Sequence, residues 1–152
     1  MANLFLDANY FIDFTERQKL DLKEKLIGNK LYVSVLSVQI LAYAYKYKVP
    51  NEKLKEYLKK ILLVPFNKNL FMLSLDGPTE DLEDNIQLHS AAKTEADIFL
   101  TNDKKLLKMK FFGKTKIVCS HSRKQTRLNS FPYLFRCVYR IIQKGHCSWI
   151  SN

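Results

Sequence analysis

The sequence predicts an α/β fold with a parallel sheet of about five strands covered by helices on both faces. Two observations predict it. Short apolar runs recur along the first 120 residues, and segments with helical spacing separate them. The length, 152 residues, allows one domain of this kind and little else.

The elements follow in order. Asn3–Asp7 (NLFLD) is a short apolar run ending in an acid, and reads as a buried strand. Residues 17–27 set Leu20, Leu22, Leu26 and Ile27 among charges, a weakly amphipathic helix closed by Gly28 and Asn29. Leu31–Ser34 (LYVS) reads as the second strand. From Ser37 the positions Val38, Leu41, Ala42 and Tyr45 repeat at helical spacing to about Lys48. Pro50 stops that helix and opens another, with Leu54, Leu58 and Ile61 on one side. Leu62–Phe66 fits a third strand, with Pro65 at its end. Residues 67–75 read as a short helix, and Gly77, Pro78 and Thr79 as a turn. Asp81–Thr94 is a helix with acids in its first turn, where the dipole favours them. Ile98–Thr101 is a fourth strand, Asp103–Lys108 a helical turn and Lys116–Cys119 a fifth strand. This architecture occupies residues 1–120 and leaves 121–152 as a basic C-terminal extension.

With 47% hydrophobic and 26% charged residues, the composition excludes collagen, disorder throughout and a disulfide-stapled miniature. The longest uncharged run, Leu31 to Tyr45, contains Ser, Gln and Tyr and is 15 residues long. A spanning helix needs about 20 mostly apolar residues, so no membrane association is expected from it. No signal peptide is visible, because Asp7 follows only three apolar residues. Three widely spaced cysteines predict a reduced, cytoplasmic protein. Charge is distributed unevenly. Residues 1–103 hold 13 Lys/Arg and 15 Asp/Glu, a net −2, whereas residues 104–152 hold 12 Lys/Arg and no acid. Such a segment suits a polyanionic partner such as nucleic acid, or is a solvated basic tail.

In an open α/β sheet, ligands bind beyond the carboxyl ends of the strands, where the strand order reverses. Asp7 ends the first strand, and Asp103 comes two residues after the fourth. Asp84 lies in the first turn of the helix leading into that fourth strand, with Asp81 one turn before it. Singly, each is explained as a turn former or a helix cap. Together they form a carboxylate cluster, which either raises its own pKa values or takes a hard divalent cation. Carboxylate oxygens suit Mg²⁺ or Mn²⁺, and no Cys/His set suggests zinc at this rim. A metal held by carboxylates beside a basic flank points to phosphodiester hydrolysis.

Three segments carry a resemblance to a known family. The opening NLFLDANYFID, the segment YVSVLSVQILAYAY and the stretch DLEDNIQLHSAAKTEADIFLTND resemble the PIN-domain ribonucleases, to which VapC-type toxins belong. The likeness spans about residues 1–120, and the last stretch is the most specific of the three. It implies a three-layer PIN-like fold with strand order 3-2-1-4-5, and a metal-dependent endoribonuclease acting on RNA. It also implies a toxin with a cognate antitoxin, and a homodimer. Asp7, Asp84 and Asp103 take the catalytic and metal-binding roles with Mg²⁺ or Mn²⁺, and Asp81 is a further metal candidate. Thr101, Asn102, Gln39 and Asn9 are candidates for orienting substrate or a metal-bound water. Asn9 also reads as a helix cap and Thr101 as a strand-end residue satisfying backbone groups. Ser34, at the end of the second strand, is a further candidate to face the site.

One departure from the family stands out. Its members usually carry a glutamate early in the helix after the second strand. Here that region reads Ser37-Val38-Gln39-Ile40-Leu41, and no acid occurs from Leu31 to Pro50. Gln39 offers only a neutral oxygen, which motivates a second reading of the chain as a catalytically weakened or inactive nucleic-acid-binding module. A phosphotransfer receiver, which wants an acidic pair before the end of its first strand and a lysine after its last, fits less well. So does a haloacid-type phosphatase, because the first strand ends Asp7-Ala8-Asn9 rather than Asp-x-Asp. His89 reads as a polar helix-face residue more readily than as a general base. Tyr43, Tyr45 and Tyr47 suggest base stacking or, more simply, core and rim. Cys137, His146 and Cys147, with Cys119 or His121, have zinc-ligand chemistry but irregular spacing. In the extension, Leu134, Val138, Ile141 and Ile142 repeat helically, with Arg136, Arg140 and Lys144 on another face. That pattern fits a basic helix for RNA, an acidic partner or a membrane surface, or a non-native extension.

Overall fold

A computed structural model describes residues 1–17, 22, 24 and 26–119. The helix expected over 17–27 lies mostly outside this set, and the readings of residues 121–152 lie wholly outside it. Six strands and six helices alternate among the described residues. The strands are β1 (Asn3–Leu6), β2 (Lys30–Ser34), β3 (Leu62–Val64), β4 (Ile98–Leu100), β5 (Phe111–Phe112) and β6 (Thr115–Val118). The helices are α1 (Ala8–Thr15), α2 (Val35–Ala44), α3 (Glu52–Leu58), α4 (Lys68–Leu75), α5 (Leu82–Lys93) and α6 (Lys104–Met109).

The strands form one sheet in the order β3-β2-β1-β4-β6-β5. Its first five members run parallel, which is the expected five-strand order. The sixth, β5, is an addition that pairs antiparallel with β6 at the edge. Lys110 at φ 65° and Gly113 at φ 58° turn the chain into and out of it. Two residues of strand carry no periodicity, so this element leaves no pattern to read.

Packing follows the alternation of side chains along the central strands. Leu4 and Leu6 of β1, with Leu100 of β4, face a core built with Tyr10, Phe11 and Ile12 of α1 and Leu41 of α2. Phe5 and Phe99 point the other way, into a core closed by Leu88 and Ala91 of α5 and Leu106 of α6. Helices on both faces of a parallel sheet make three layers, the expected fold class.

The alternation also sets the chemistry of the rim. Asp7 follows Phe5 by two residues and Thr101 follows Phe99 by two. Both therefore leave the sheet on the face covered by α5 and α6, the helices that begin beside Asp84 and Asp103. Helix α1 itself was not foreseen. Its polar stripe is short, Asn9 and Asp13 one turn apart among the buried Ala8, Tyr10, Phe11, Ile12 and Thr15. No helix among the described residues is long and apolar enough to cross a membrane.

Candidate active site at the carboxyl rim

Strands β1, β2 and β3 build the sheet in one direction from β1, and β4 and β6 build it in the other. The crevice opens between the carboxyl ends of β1 and β4, and Asp7 and Thr101 stand there. Asp7 is buried, with one carboxylate oxygen accepting from the Ala8 backbone N–H at 2.7 Å as the N-cap of α1. Its other oxygen accepts from the Thr101 hydroxyl at 2.8 Å. The same hydroxyl oxygen accepts from the Asp103 backbone N–H at 2.9 Å. Thr101, fully buried, thus ties the first and last acids of the set to one strand end.

Asp103 caps α6, its carboxylate accepting from the N–H groups of Lys105 at 2.6 Å and Leu106 at 3.1 Å. Asp81 caps α5 and accepts from the N–H of Glu83 at 2.9 Å. Asp84 sits half-buried in the first turn of α5, as its place in the sequence predicts. Sequence reasoning passed over its neighbour Glu83, whose carboxyl is raised by burial and then by the charge of Asp7.

Electrostatics records how closely these acids are brought together. Burial pushes the Asp7 carboxyl up against the hydrogen bonds from Thr101 and Ala8, and the charge of Asp103 adds to the rise. The Asp84 carboxyl is pushed up to about 6 by burial and by the charges of Asp81, Asp103, Asp7 and Glu83. None of the groups acting on Asp7 or Asp84 is a cation. No three His, Cys, Asp or Glu side chains among the described residues are gathered as a metal-ligand cluster.

The remaining candidates fall into place around this rim. Asn9 is exposed on α1, and the cap of that helix is Asp7 instead. Asn102 is exposed and accepts from the Cys119 thiol at 3.2 Å. Gln39 is exposed on α2. Two residues from Ser37 is more than half a turn of helix, so Gln39 faces away from the side of α2 that meets α5. Ser34 stays at the rim, beside Asp7 in the extended β1–β2 register.

What joins α2 to α5 is a different glutamine. Gln87, fully buried, accepts from the Ser34 hydroxyl at 2.9 Å and lies 2.9–3.1 Å from the Ser37 hydroxyl. Ser34 in turn caps α2 through the Ser37 N–H at 2.9 Å. A polar residue inside a helical stretch was the available signal for Gln87. His89 bonds the Gly77 carbonyl oxygen at 3.0 Å and packs edge-on against Phe112, so it is engaged away from the acids. Asn85, also buried, fastens the loop before α5. Its amide donates to the carbonyls of Ser74 and Thr79, and its oxygen accepts from the Thr79 N–H and hydroxyl.

Outside the acids lies an open cleft of about 580 Å³, lined by Thr79, Glu80, Asp81, Leu82, Asp84 and Lys105. The rim is thus a negative, partly desolvated crevice with a solvent-facing mouth.

Removing the Thr101 hydroxyl tests how the rim is held. Thr101→Val keeps the shape but leaves one buried oxygen of Asp7 and the Asp103 N–H without partners, at a cost of about 1–3 kcal/mol. The expected result is a lower thermal midpoint that Thr101→Ser restores. An unchanged midpoint for the valine variant would show that the two hydrogen bonds contribute nothing net.

No protein-family model matches the chain, and no curated protein matches it in sequence. Solved structures do resemble it. One is a chain of VapBC2 from Rickettsia felis bound to a DNA fragment from their promoter, at 15% identity and a TM-score of 0.59. The match covers 77% of this chain and 98% of that one. Another is a toxin–antitoxin complex from Klebsiella pneumoniae, at 18% identity and a TM-score of 0.52 over 67% of this chain and 88% of that one. At such identities the likeness is one of fold, and both folds come from toxin–antitoxin complexes.

Proposed function

We propose that the chain is a divalent-metal-dependent endoribonuclease of the PIN type, and the toxin of a toxin–antitoxin pair. The observation that carries this reading is the placement of Asp7, Asp84 and Asp103 at the strand-order reversal, near enough for their charges to act on one another, with Asp84 raised to about 6 by burial and then by its acidic neighbours. Like charges held together without a cation cost stability, and sites of binding or catalysis are where folds bear that cost. The fold it shares with chains from toxin–antitoxin complexes supports the cellular role, a cognate antitoxin and a homodimer.

The donors fit Mg²⁺ or Mn²⁺ in chemistry, being carboxylates with no thiolate or imidazole among them. Asp7, Asp84 and Asp103 would hold the ion, with Asp81 or Glu83 as further oxygen donors. When bound, it supplies a water of lowered pKa and a positive charge beside the phosphate. Thr101 fixes the Asp7 carboxylate in one orientation and the Asp103 backbone in register with it. Gln87, with Ser34 and Ser37, ties the second turn of α5 to the first turn of α2. Asn102, exposed beside Thr101, would donate its amide to a phosphate oxygen.

The test is cleavage of end-labelled single-stranded RNA with Mn²⁺, with Mg²⁺ and with EDTA, alongside Asp7→Asn. Metal-dependent cutting that the substitution abolishes supports the reading. Intact RNA with every metal, from folded and antitoxin-free protein, overturns it. A second reading, a nucleic-acid-binding module without catalysis, is favoured by one observation. Helix α2 brings no acid to the rim, since Gln39 faces away and Ile40 occupies the position one turn after Ser37. RNA binding that persists in EDTA without any cutting would establish that module.

A further inference from the structure

Among the residues lining the cleft outside the rim, Lys105 is the one cation. It stands in the first turn of α6, and its backbone N–H is fixed on the Asp103 carboxylate at 2.6 Å. Its side chain is exposed, and no ion pair ties it to a carboxylate among the described residues, although Glu80, Asp81 and Asp84 line the same cleft. A cleft lined otherwise by acids, Thr79 and Leu82 repels a polyanion wherever Lys105 does not reach.

We infer that Lys105 is the phosphate-binding side chain of this cleft, holding the backbone of a single RNA strand beside the acidic rim. The inference rests on the ribonuclease reading and specifies which part of the site meets the substrate. A lysine is a flexible point charge with three donors, suited to a phosphodiester oxygen that arrives at varying angles. Its anchor next to Asp103 keeps that charge within one side-chain length of the rim. Half-exposed Leu82 gives the same cleft an apolar seat for a base. One lysine beside several acids suits a phosphodiester carrying one charge better than a terminal phosphate dianion.

The experiment measures binding of a fluorescein-labelled single-stranded RNA to the full chain in EDTA, over about 50–200 mM salt. The parent is compared with Lys105→Gln, Lys105→Arg and Lys93→Gln, the last at the far end of α5. Loss of one phosphate contact on a single strand lowers the slope of log affinity against log salt by about 0.7. Lys105→Gln is expected to show that drop and an affinity weaker by about 3–10-fold, with the thermal midpoint unchanged. Lys105→Arg should retain both, and Lys93→Gln should match the parent. Equal slopes for Lys105→Gln and the parent would overturn the inference and leave the ribonuclease reading standing. So would an equal loss in Lys93→Gln, which would mean diffuse attraction, or a lowered midpoint with no change in slope, which would make Lys105 a screen for its acidic neighbours. A parent chain that neither binds nor cuts RNA would overturn both together.

Discussion

Replacing Asp84 by Asn is expected to abolish metal-dependent cleavage of RNA and, in the same protein without metal, to raise stability near neutral pH. The two effects have one cause. In the folded chain the Asp84 carboxyl is raised from its ordinary 3.8 to about 6, by burial first and by Asp81, Asp103, Asp7 and Glu83 after that. The folded state therefore holds a proton that the unfolded chain has already released between pH 3.8 and about 6. Stability falls across that window as pH rises, and the whole penalty is present above it. Asparagine never carries the charge and escapes the penalty. Discounted for solvent screening, the gain at pH 7 is about 1 kcal/mol. At this chain length that corresponds to about 2–4 °C in thermal midpoint. At pH 4 only a small fraction of the gain remains, because the folded carboxyl is then protonated and the unfolded one is only partly ionised. Melting curves of parent and Asp84→Asn in EDTA at the two pH values decide it, and an Asp84→Asn variant less stable than the parent at pH 7 would contradict the electrostatic account. For activity, groups that only support a metal ligand cost about 10–100-fold when removed, so loss of a ligand should exceed about 100-fold.

Much of this arrangement was legible in the residues, and its limits have physical reasons. Strand and helix alternated at spacings that suit a parallel sheet, so the layers followed, while the five-strand order came from the resemblance to the PIN-domain ribonucleases. Asp7, Asp84 and Asp103 could be placed because strand ends and first helical turns are positions that sequence marks well. What was missed lacked such marks. Helix α1 is only eight residues long, so its polar stripe is reduced to Asn9 and Asp13. Strand β5 is a two-residue edge strand, defined only by its partner β6.

Side-chain direction was harder still to read. Gln39 and Gln87 are the same residue type on neighbouring helices, yet one is exposed and the other is knotted to Ser34 and Ser37. Linear distance from a motif pointed to Gln39, whereas helical phase turns Gln39 away from the face of α2 on which Ser37 meets Gln87. Glu83 was overlooked for the same reason. It looked like an ordinary first-turn acid, and only the fold shows that its charge is felt by the same crevice as Asp7.

Phe99→Ala is expected to be the most destabilising of these changes and to disable the rim as well. Phe99 and Phe5 are direct partners in the β1–β4 register, and their rings stack with centroids 5.5 Å apart and planes 9° from parallel. Neither exposes any surface, and Leu88, Ala91 and Leu106 close over them from α5 and α6. Truncating a buried phenylalanine costs about 3–5 kcal/mol, because transfer energy is lost and a cavity remains. The thermal midpoint should fall by about 6–20 °C for a chain of this size. The position gives the cost a second meaning. Asp7 and Thr101 each follow one of the stacked rings by two residues, so this pair fixes the separation of the strand ends that the Thr101–Asp7 hydrogen bond spans. Phe99→Leu keeps most of the volume and should cost less than about 1.5 kcal/mol. Comparing the two by thermal melts and by metal-dependent cleavage at a temperature where both remain folded separates stability from positioning. If Phe99→Ala, still folded there, cuts RNA as fast as Phe99→Leu, the stack supports the core alone. A larger loss in the alanine variant would mean that the core sets the geometry of the acids.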